Sequence, residues 1–165
     1  MSQQPFITLL GDEIDSLDTL REHPAVMRAT DNRSDCRAIV IGMNHDAAHP
    51  GLEMLESMCA ALSHDFNNLR HLVIVIDERP HTPADTLWRH SDTAAQNIQA
   101  YFEQTLGSYL VVTVLLVGTC NRAQLLAQQI LNRVRHSQVV NPATVLFWNE
   151  IGNHTINAAS TDGYI

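Results

Sequence analysis

The stretch HLVIVID, residues 71–77, decides the fold class. Between its first and last residues lie five consecutive apolar residues, without the polar alternation of a strand that faces water on one side. A strand that is buried on both faces has this composition, and such strands usually belong to parallel sheets. The segment therefore predicts an α/β domain in which helices cover both faces of a parallel sheet.

Strand-like and helix-like segments alternate around this stretch. Three other apolar runs predict further strands: RAIVIGM (37–43), YLVVTVLLVG (109–118) and ATVLFWN (143–149). Apolar residues at steps of three and four predict amphipathic helices from Pro50 to Phe66, from a cap at Ser91 or Asp92 to Leu106, and from a cap at Asn121 to His136. The order β-α-β-α-β-α-β predicts a three-layer, Rossmann-like α/β domain with a mostly parallel sheet and right-handed crossovers.

The two ends of the chain are predicted to contribute less to this domain. Residues 1–35 form an extension with a strand, FITLL, and a short helix, IDSLDTLREH, whereas residues 151–165 are expected to form a polar, irregular tail. No repeat or linker divides the remainder, and 165 residues fit one domain.

The charged residues exclude several kinds of function. All ten basic residues are arginine, so a Schiff-base lysine, a pyridoxal-phosphate lysine and a P-loop lysine are excluded. The net charge of -8 argues against a broad nucleic-acid-binding surface. We expect Arg122, Arg133 and Arg135 to lie on a solvated helix face. The absence of lysine indicates either biased base composition or selection against ubiquitination, as in a secreted effector.

The remaining composition favours a cytoplasmic protein without membrane segments. No apolar run has the length of a membrane-spanning helix, and the N-terminus lacks the positive region of a signal peptide. Cys36, Cys59 and Cys120 are odd in number and have no metal-site spacing, which favours free thiols. Cys59 lies on the apolar stripe of a helix and is expected in the core.

Polar residues are concentrated where the predicted strands end. The segments GMNHDAAH, DERPHTP and GTCNR leave three consecutive strands, and parallel strands place their carboxyl ends at one edge of the sheet. We therefore expect the functional site there. Walker A, GxGxxG, GxSxG, CxxC and HExxH patterns are all missing from the sequence.

The first of these segments contains a histidine pair. His45 and His49 are separated by four positions, and together with Asp46 they would suit zinc if the segment were helical. However, Pro50 predicts a helix that begins after His49, which would break this geometry. We expect a polar loop and no cofactor, with a zinc site at His45, Asp46 and His49 as the alternative.

The other two segments offer groups for acid–base or anion chemistry. Asp77 could orient His81 as a general base or hold a substrate amine, and as the alternative it could accept backbone N–H bonds at the strand end. Cys120 precedes a helix, whose dipole is expected to lower its pKa, and the N–H groups around Asn121 and Arg122 could bind an oxyanion.

The first two segments and the helices that follow them resemble the cyclodipeptide synthases. The resemblance covers about residues 36 to 106, in the order AIVIGMN, LEMLESMCAALSHDF, HLVIVIDERPHTPADTL and DTAAQNIQAYFEQTL. It implies a Rossmann-like domain, related to class I aminoacyl-tRNA synthetases, that joins amino acids delivered by aminoacyl-tRNAs. Asn44 stands where the family has its nucleophilic serine, and an amide cannot form an aminoacyl ester. NIQAYFEQTL also lacks the basic residues that the family uses to hold tRNA.

Three functions follow from these residues. The first is an enzyme or ligand-binding domain for an aminoacyl or acyl substrate, and it would be a transferase if it is catalytic. Its predicted catalytic residues are Asn44, His45, Asp77 and His81. Its predicted substrate-binding residues are Gly42, Cys120, Asn121 and Arg122. The second is a metal-dependent hydrolase-like domain that uses the HDAAH segment. The third is a non-catalytic effector, toxin or immunity protein whose acidic surface contacts a basic protein partner. A homodimer is compatible with all three, and a membrane partner with none.

Overall fold

The computed structural model describes residues 4–78, 84–136, 139, 141–152 and 154–162, and the side chains of residues 45–50, 84–85 and 161–162 lie outside this description. The strands are β1 (Ile7–Gly11), β2 (Ala38–Asn44), β3 (His71–Asp77), β4 (Val111–Leu116) and β5 (Ala143–Phe147). The helices are α1 (Asp18–Arg21), α2 (His45–Ser57), α3 (Cys59–Asp65), α4 (Ala84–Gln104), α5 (Ala123–Val134), α6 (Trp148–Ile151) and α7 (Ile156–Asp162), with 3-10 turns at Asp15–Leu17 and Arg33–Asp35.

The five strands form one parallel sheet in the order β1-β2-β3-β4-β5. The predicted α/β class with a three-layer, Rossmann-like arrangement is confirmed. The N-terminal strand, predicted as part of an extension, is the first edge strand of this sheet, and its outer side is partly covered by a bridge between Ile7 and Val26.

Alternate residues of each strand pack into two separate cores. On β3, Leu72, Ile74 and Ile76 belong to the core beneath α2, α3 and α4. We call this side of the sheet the first face. Val73 and Val75 belong to the core beneath α1 and α5, which we call the second face. β3 is therefore buried on both sides, as its sequence predicts.

The strand order fixes the hand of the crossovers relative to one another. The connection from β3 to β4 runs through α4 on the first face, whereas the connection from β4 to β5 runs through α5 on the second face. Both connections step in the same direction across the sheet, so they have opposite hands. One of them is left-handed, and the prediction of right-handed crossovers throughout is wrong.

The first predicted helix begins earlier than its proline indicated. α2 starts at His45, and Asn44 is its N-cap residue with an extended backbone. Pro50 lies inside the helix, where a proline removes one intrahelical hydrogen bond. The helix also ends at Ser57, and α3 continues separately towards Phe66.

The cap predicted at Ser91 or Asp92 is also wrong. α4 begins at Ala84, and Ser91 is fully buried within it. Leu87 on the preceding turn is buried as well, and it extends the apolar spacing that continues through Ala94 and Ile98. A small hydroxyl residue is accommodated at this position because the helix packs closely on the sheet. Ser91 Oγ has no hydrogen-bond partner among the described residues.

The predicted irregular tail contains a helix that belongs to the domain. α7 buries Ile156 and Ser160, and Ile156 packs into the core of the second face. Gln129 Nε2 on α5 donates to the carbonyls of Ile151 and His154 at 3.0 and 2.9 Å. The segment before α7 is therefore held by buried hydrogen bonds.

Arg133 makes the second anchor for α7, contrary to its predicted place on a solvated helix face. Its side chain is fully buried. Nε donates to Thr113 Oγ1 at 3.0 Å, Nη2 donates to the Asn141 carbonyl at 3.0 Å, and Nη1 donates to Asn157 Oδ1. Desolvation lowers its pKa to about 10. One arginine thus joins α5, β4, the loop before β5 and α7.

No helix in the described part of the chain combines the length and the apolar character needed to cross a bilayer.

His71, at the start of β3, generates a prediction about acid stability. Its Nε2 donates to the His136 carbonyl at 2.6 Å, while Nδ1 is buried without a partner among the described residues. Burial lowers the pKa of His71 to about 4, whereas an unfolded histidine titrates near pH 6.5. Between these values the unfolded chain binds the proton and the folded chain does not, so stability falls as the pH falls through this window.

The expected contribution of His71 to this loss is about 3 kcal/mol when the pH reaches 4. Urea unfolding at pH 7 and pH 4 measures it. His71→Leu should lose clearly less stability between the two pH values than the parent protein does. The exposed His64, changed to leucine, is the matched control and should leave the pH dependence unchanged. Equal pH dependence in all three proteins would contradict the assignment.

Candidate functional site at the carboxyl edge of the sheet

Asn44 and Asp77 end neighbouring strands side by side. They are register partners in the parallel pairing of β2 with β3, so their backbones are about 4.8 Å apart. Asn44 is exposed and Asp77 is half-buried. Register partners of parallel strands point to the same side, and an amide and a carboxylate therefore stand next to each other at the middle of this edge.

A turn after β1 brings a second carboxylate to Asn44. Asp12 accepts a hydrogen bond from the Asn44 backbone N–H at 2.9 Å through Oδ2, and its own N–H donates to the Gly42 carbonyl at 2.8 Å. This approach requires glycine on both strands. Gly11 has a φ of 85°, and a Cβ at Gly42 would lie 2.6 Å from the Asp12 carbonyl.

Glu78 closes the space between the ends of β3 and β4. Its Oε2 accepts the Gly118 N–H at 2.9 Å, and a Cβ at Gly118 would lie 2.0 Å from the Glu78 carbonyl. Burial raises the pKa of Glu78, and the nearby charge of Asp77 adds to this effect against the opposing hydrogen bond from Gly118. Gly118 therefore serves the packing of two strand ends.

Cys120 is not an activated thiol, contrary to the prediction from its position. It is half-buried and lies before α5, whose first residue is Ala123. Desolvation raises the pKa of the thiol, and the negative charge of Asp77 raises it further, while a backbone hydrogen bond at Arg122 opposes both effects. The thiol is therefore protonated at neutral pH and has little nucleophilic character.

Asn121 does not cap α5 as predicted. The N-cap residue is Arg122, which makes no side-chain capping hydrogen bond. Both Asn121 and Arg122 are exposed. Arg122 is the described cation nearest in sequence to the end of β4, and its side chain is exposed to solvent.

An apolar cavity of about 390 Å³ adjoins this edge between β1, β2 and α2. Asp12 is its one charged lining residue among the described residues, and the rest of the lining is Leu10, Gly11, Ile41, Gly42, Met43, Gly51, Met54, Leu55, Met58 and Leu62. Leu10, Met54 and Met58 are 42%, 61% and 45% exposed. Methionine side chains adapt to differently shaped apolar ligands, so this cavity can accept an apolar group of variable form.

The structure places only some of the predicted site residues close together. Gly42, Asn44, Asp77 and Cys120 lie along the ends of β2, β3 and β4, as their positions indicated. His81 lies outside the described residues, as do the side chains of His45, Asp46 and His49. Among the side chains that are described, no group of three metal-binding residues occurs.

Two carboxylates and the apolar cavity were missed by sequence reasoning. Asp12 follows the last residue of β1, just as Asp77 ends β3, so treating FITLLGD as a strand of the main sheet would have found it. Glu78 is adjacent to Asp77 in the sequence, and nothing in the local pattern distinguishes it from its neighbour as a second carboxylate of the site. The cavity depends on how α2 packs beside an edge strand, and the sequence carries no local signal for that arrangement.

No family model, curated protein or solved structure matches this chain.

The effect of Asp77 on Cys120 can be tested by alkylation with iodoacetamide. Replacing Asp77 by asparagine removes a charge that raises the thiol pKa, so Cys120 should react about threefold faster at pH 8. Mass spectrometry of the peptide that contains Cys120 separates it from the buried Cys36 and Cys59. Asp65→Asn, on the exposed end of α3, is the control and should leave the rate unchanged. Equal rates for both variants would show that Asp77 and Cys120 are not electrostatically coupled.

Proposed function

We propose that the carboxyl edge of the sheet binds a small aminoacyl-type ligand with an ammonium group and an apolar side chain. In this proposal Asp77 holds the ammonium group and Asn44 positions the carbonyl group of the ligand. The adjacent cavity receives the apolar side chain. This proposal rests chiefly on the register pairing of Asn44 with Asp77 at the ends of two largely buried strands.

The charge of this edge supports a cationic ligand group. Asp12 follows β1, Asp77 ends β3 and Glu78 follows it, so three carboxylates lie at this edge, while Arg122 lies in the loop between β4 and α5. A hydrogen bond between a carboxylate and an ammonium group contributes about 1.5–3 kcal/mol, roughly twice that of a neutral pair. An anionic ligand would meet repulsion from the same carboxylates.

The apolar cavity supports a ligand with a hydrophobic side chain. Met43 lines it and immediately precedes Asn44, while Asp12 lines it and accepts the Asn44 N–H. The polar pair and the cavity therefore meet at the end of β2, where the cavity lies on the side of the first face and the side chains of the pair continue the row that faces the second. A volume near 390 Å³ lies within the range of small-molecule sites and exceeds what one leucine side chain needs.

The proposed chemistry depends on Asn44. Cyclodipeptide synthases use a serine at this strand end as their nucleophile, and the chain resembles them in the segments around it. An asparagine amide can donate to a carbonyl oxygen but forms no ester. The proposal is therefore an aminoacyl-binding domain, or a transferase in which the acceptor comes from a second substrate.

Leucine methyl ester, which carries an ammonium group, an apolar side chain and an ester carbonyl, is a direct probe of this proposal. We expect it to shift the NMR signals of Met43, Asn44 and Asp77, and N-acetyl-leucine methyl ester, without the ammonium group, to bind at least about tenfold more weakly. Asp77→Asn should lose the same factor, whereas Asp65→Asn should retain binding. Equal binding of the two esters, or no binding of either, would refute the proposal.

Incubation with a mixed pool of aminoacyl-tRNAs distinguishes turnover from binding. Mass spectrometry should detect no acylation of the protein at Asn44. A diketopiperazine product that disappears in Asp77→Asn would support the transferase form. Acylation of another residue at this edge would contradict the proposal that the acceptor comes from a second substrate.

The start of α2 favours zinc binding as a second candidate. Because α2 begins at His45, positions 45 and 49 are one turn apart on the same helix, which is the HxxxH spacing of zinc sites. The sequence-based objection from Pro50 therefore no longer applies. Metal analysis of protein purified without chelator should then find near-stoichiometric zinc, which is lost in His45→Ala and His49→Ala and kept in His64→Ala. Metal-free protein of unchanged stability would eliminate this candidate.

A further inference from the structure

The outer edge of β5 lies at the bottom of a groove of about 710 Å³. Trp88, Asp92 and Gln96 of α4 form one wall, and Glu150, His154, Ala159 and Ser160 form the other, with residues 143–146 of β5 between them. We call this the β5 groove. It lies at the opposite edge of the sheet from the cavity beside β1.

The backbone of β5 presents unused hydrogen-bonding groups to this groove. The Val112 N–H donates to the Pro142 carbonyl at 2.6 Å, so in the parallel ladder Pro142, Thr144 and Leu146 face β4. Ala143 and Val145 face the groove instead. Their N–H and C=O groups have no hydrogen-bond partner among the described residues.

The next outward N–H is already used, which limits the open edge to a short segment. The Phe147 N–H donates to Glu150 Oε2 at 2.8 Å. A strand placed along β5 would therefore pair with Ala143 and Val145 only, a length that suits a short extended segment.

The walls determine which partner can enter. The edge lies between α4 on one side and the segment with α6 and α7 on the other, so a single extended segment fits between these walls more readily than the edge of another sheet. A two-fold pairing of β5 with a second copy would also bring Asp92 and Glu150 close to their own equivalents. A single extended peptide avoids both problems.

The charge of the groove selects a basic peptide. Asp92 and Glu150 stand on opposite walls, and no arginine lines the groove among the described residues. Trp88, which is 37% exposed, offers an aromatic face on which an arginine side chain can stack. The whole chain carries a net charge of -8, which attracts a basic partner at longer range.

The groove wall formed by α7 is fixed before any partner arrives. Arg133 donates to Asn157 on α7, and Gln129 donates to the carbonyls of Ile151 and His154. A wall held by buried side chains loses little conformational entropy on binding, so more of the interaction free energy appears as affinity.

We propose that the β5 groove binds an extended, arginine- or lysine-containing segment of a partner protein, which pairs with Ala143 and Val145 as a sixth strand. Backbone hydrogen bonds to β5 supply part of the affinity, and Asp92 and Glu150 select the basic side chains. This inference is independent of the ligand proposed for the carboxyl edge.

A labelled peptide of alternating arginine and valine is the probe, and fluorescence anisotropy measures its affinity for the full chain. Compared with this peptide, we expect a peptide of alternating glutamate and valine to bind at least about tenfold more weakly. The arginine–valine peptide with N-methylated backbone amides should lose affinity by the same factor. Hydrogen exchange should show protection of the Ala143 and Val145 amides when the basic peptide is bound.

Two charge reversals on α4 separate the groove from general electrostatic attraction. Asp92→Arg lies on the groove wall, whereas Glu103→Arg makes the same change in net charge on an exposed position outside it. Asp92→Arg should weaken the basic peptide at least tenfold more than Glu103→Arg does. Equal losses of affinity in both variants would overturn the proposal. So would equal binding of the N-methylated peptide, or a lack of protection of the Ala143 and Val145 amides. Dimerisation through β5 in the absence of peptide would also overturn it.

Discussion

Burial of the central strands on both faces is the constraint on which the architecture depends. β3 and β4 contain almost only apolar residues, so each needs a helical layer above and below it. The chain meets this need by sending α4 to the first face and α5 to the second while the strands follow one another across the sheet. A left-handed crossover is the geometric result, since a sequential strand order with uniformly right-handed connections would leave one face uncovered.

The same arrangement explains where polar groups collect. The interior of the sheet is almost entirely apolar, so the carboxylates nearest to it stand at strand ends or on the elements beside the edge strands. Asp12, Asp77 and Glu78 mark the carboxyl edge, and Asp92 and Glu150 mark the β5 groove. Acidic side chains thus stand at two separate places of the sheet, one beside an apolar cavity and one beside a strand edge.

The class of the fold was predictable because strand burial is encoded locally. Runs such as HLVIVID and VVTVLL are recognisable as buried strands from their composition, and the polar residues at their ends mark the edge at which α/β domains generally bind ligands. The helix starts were not predictable in the same way. Proline and serine are common at helix N-termini, but Pro50 and Ser91 both lie within helices. Tertiary packing of the apolar positions outweighs the local preference here.

Arg133 and α7 could not be predicted from local sequence. An arginine on an amphipathic helix is normally solvated, and its burial here depends on Thr113, Asn141 and Asn157, which come from distant segments. The last residues are mostly polar, and this composition gave no indication of a helix that buries Ile156 and Ser160. The candidate site was predictable as a position along the edge of the sheet, while its chemistry depended on contacts that only the fold creates.

The sequential strand order has a consequence for how the protein is made. Each strand pairs with the one synthesised immediately before it, so every new strand finds its partner already available as the chain leaves the ribosome. No strand must wait for a distant segment before it can join the sheet, and each completed β–α unit temporarily ends in an open edge that the next strand covers. Among the described strands β5 comes last, and its outer edge keeps the unpaired state that the edge of each earlier strand has only during synthesis.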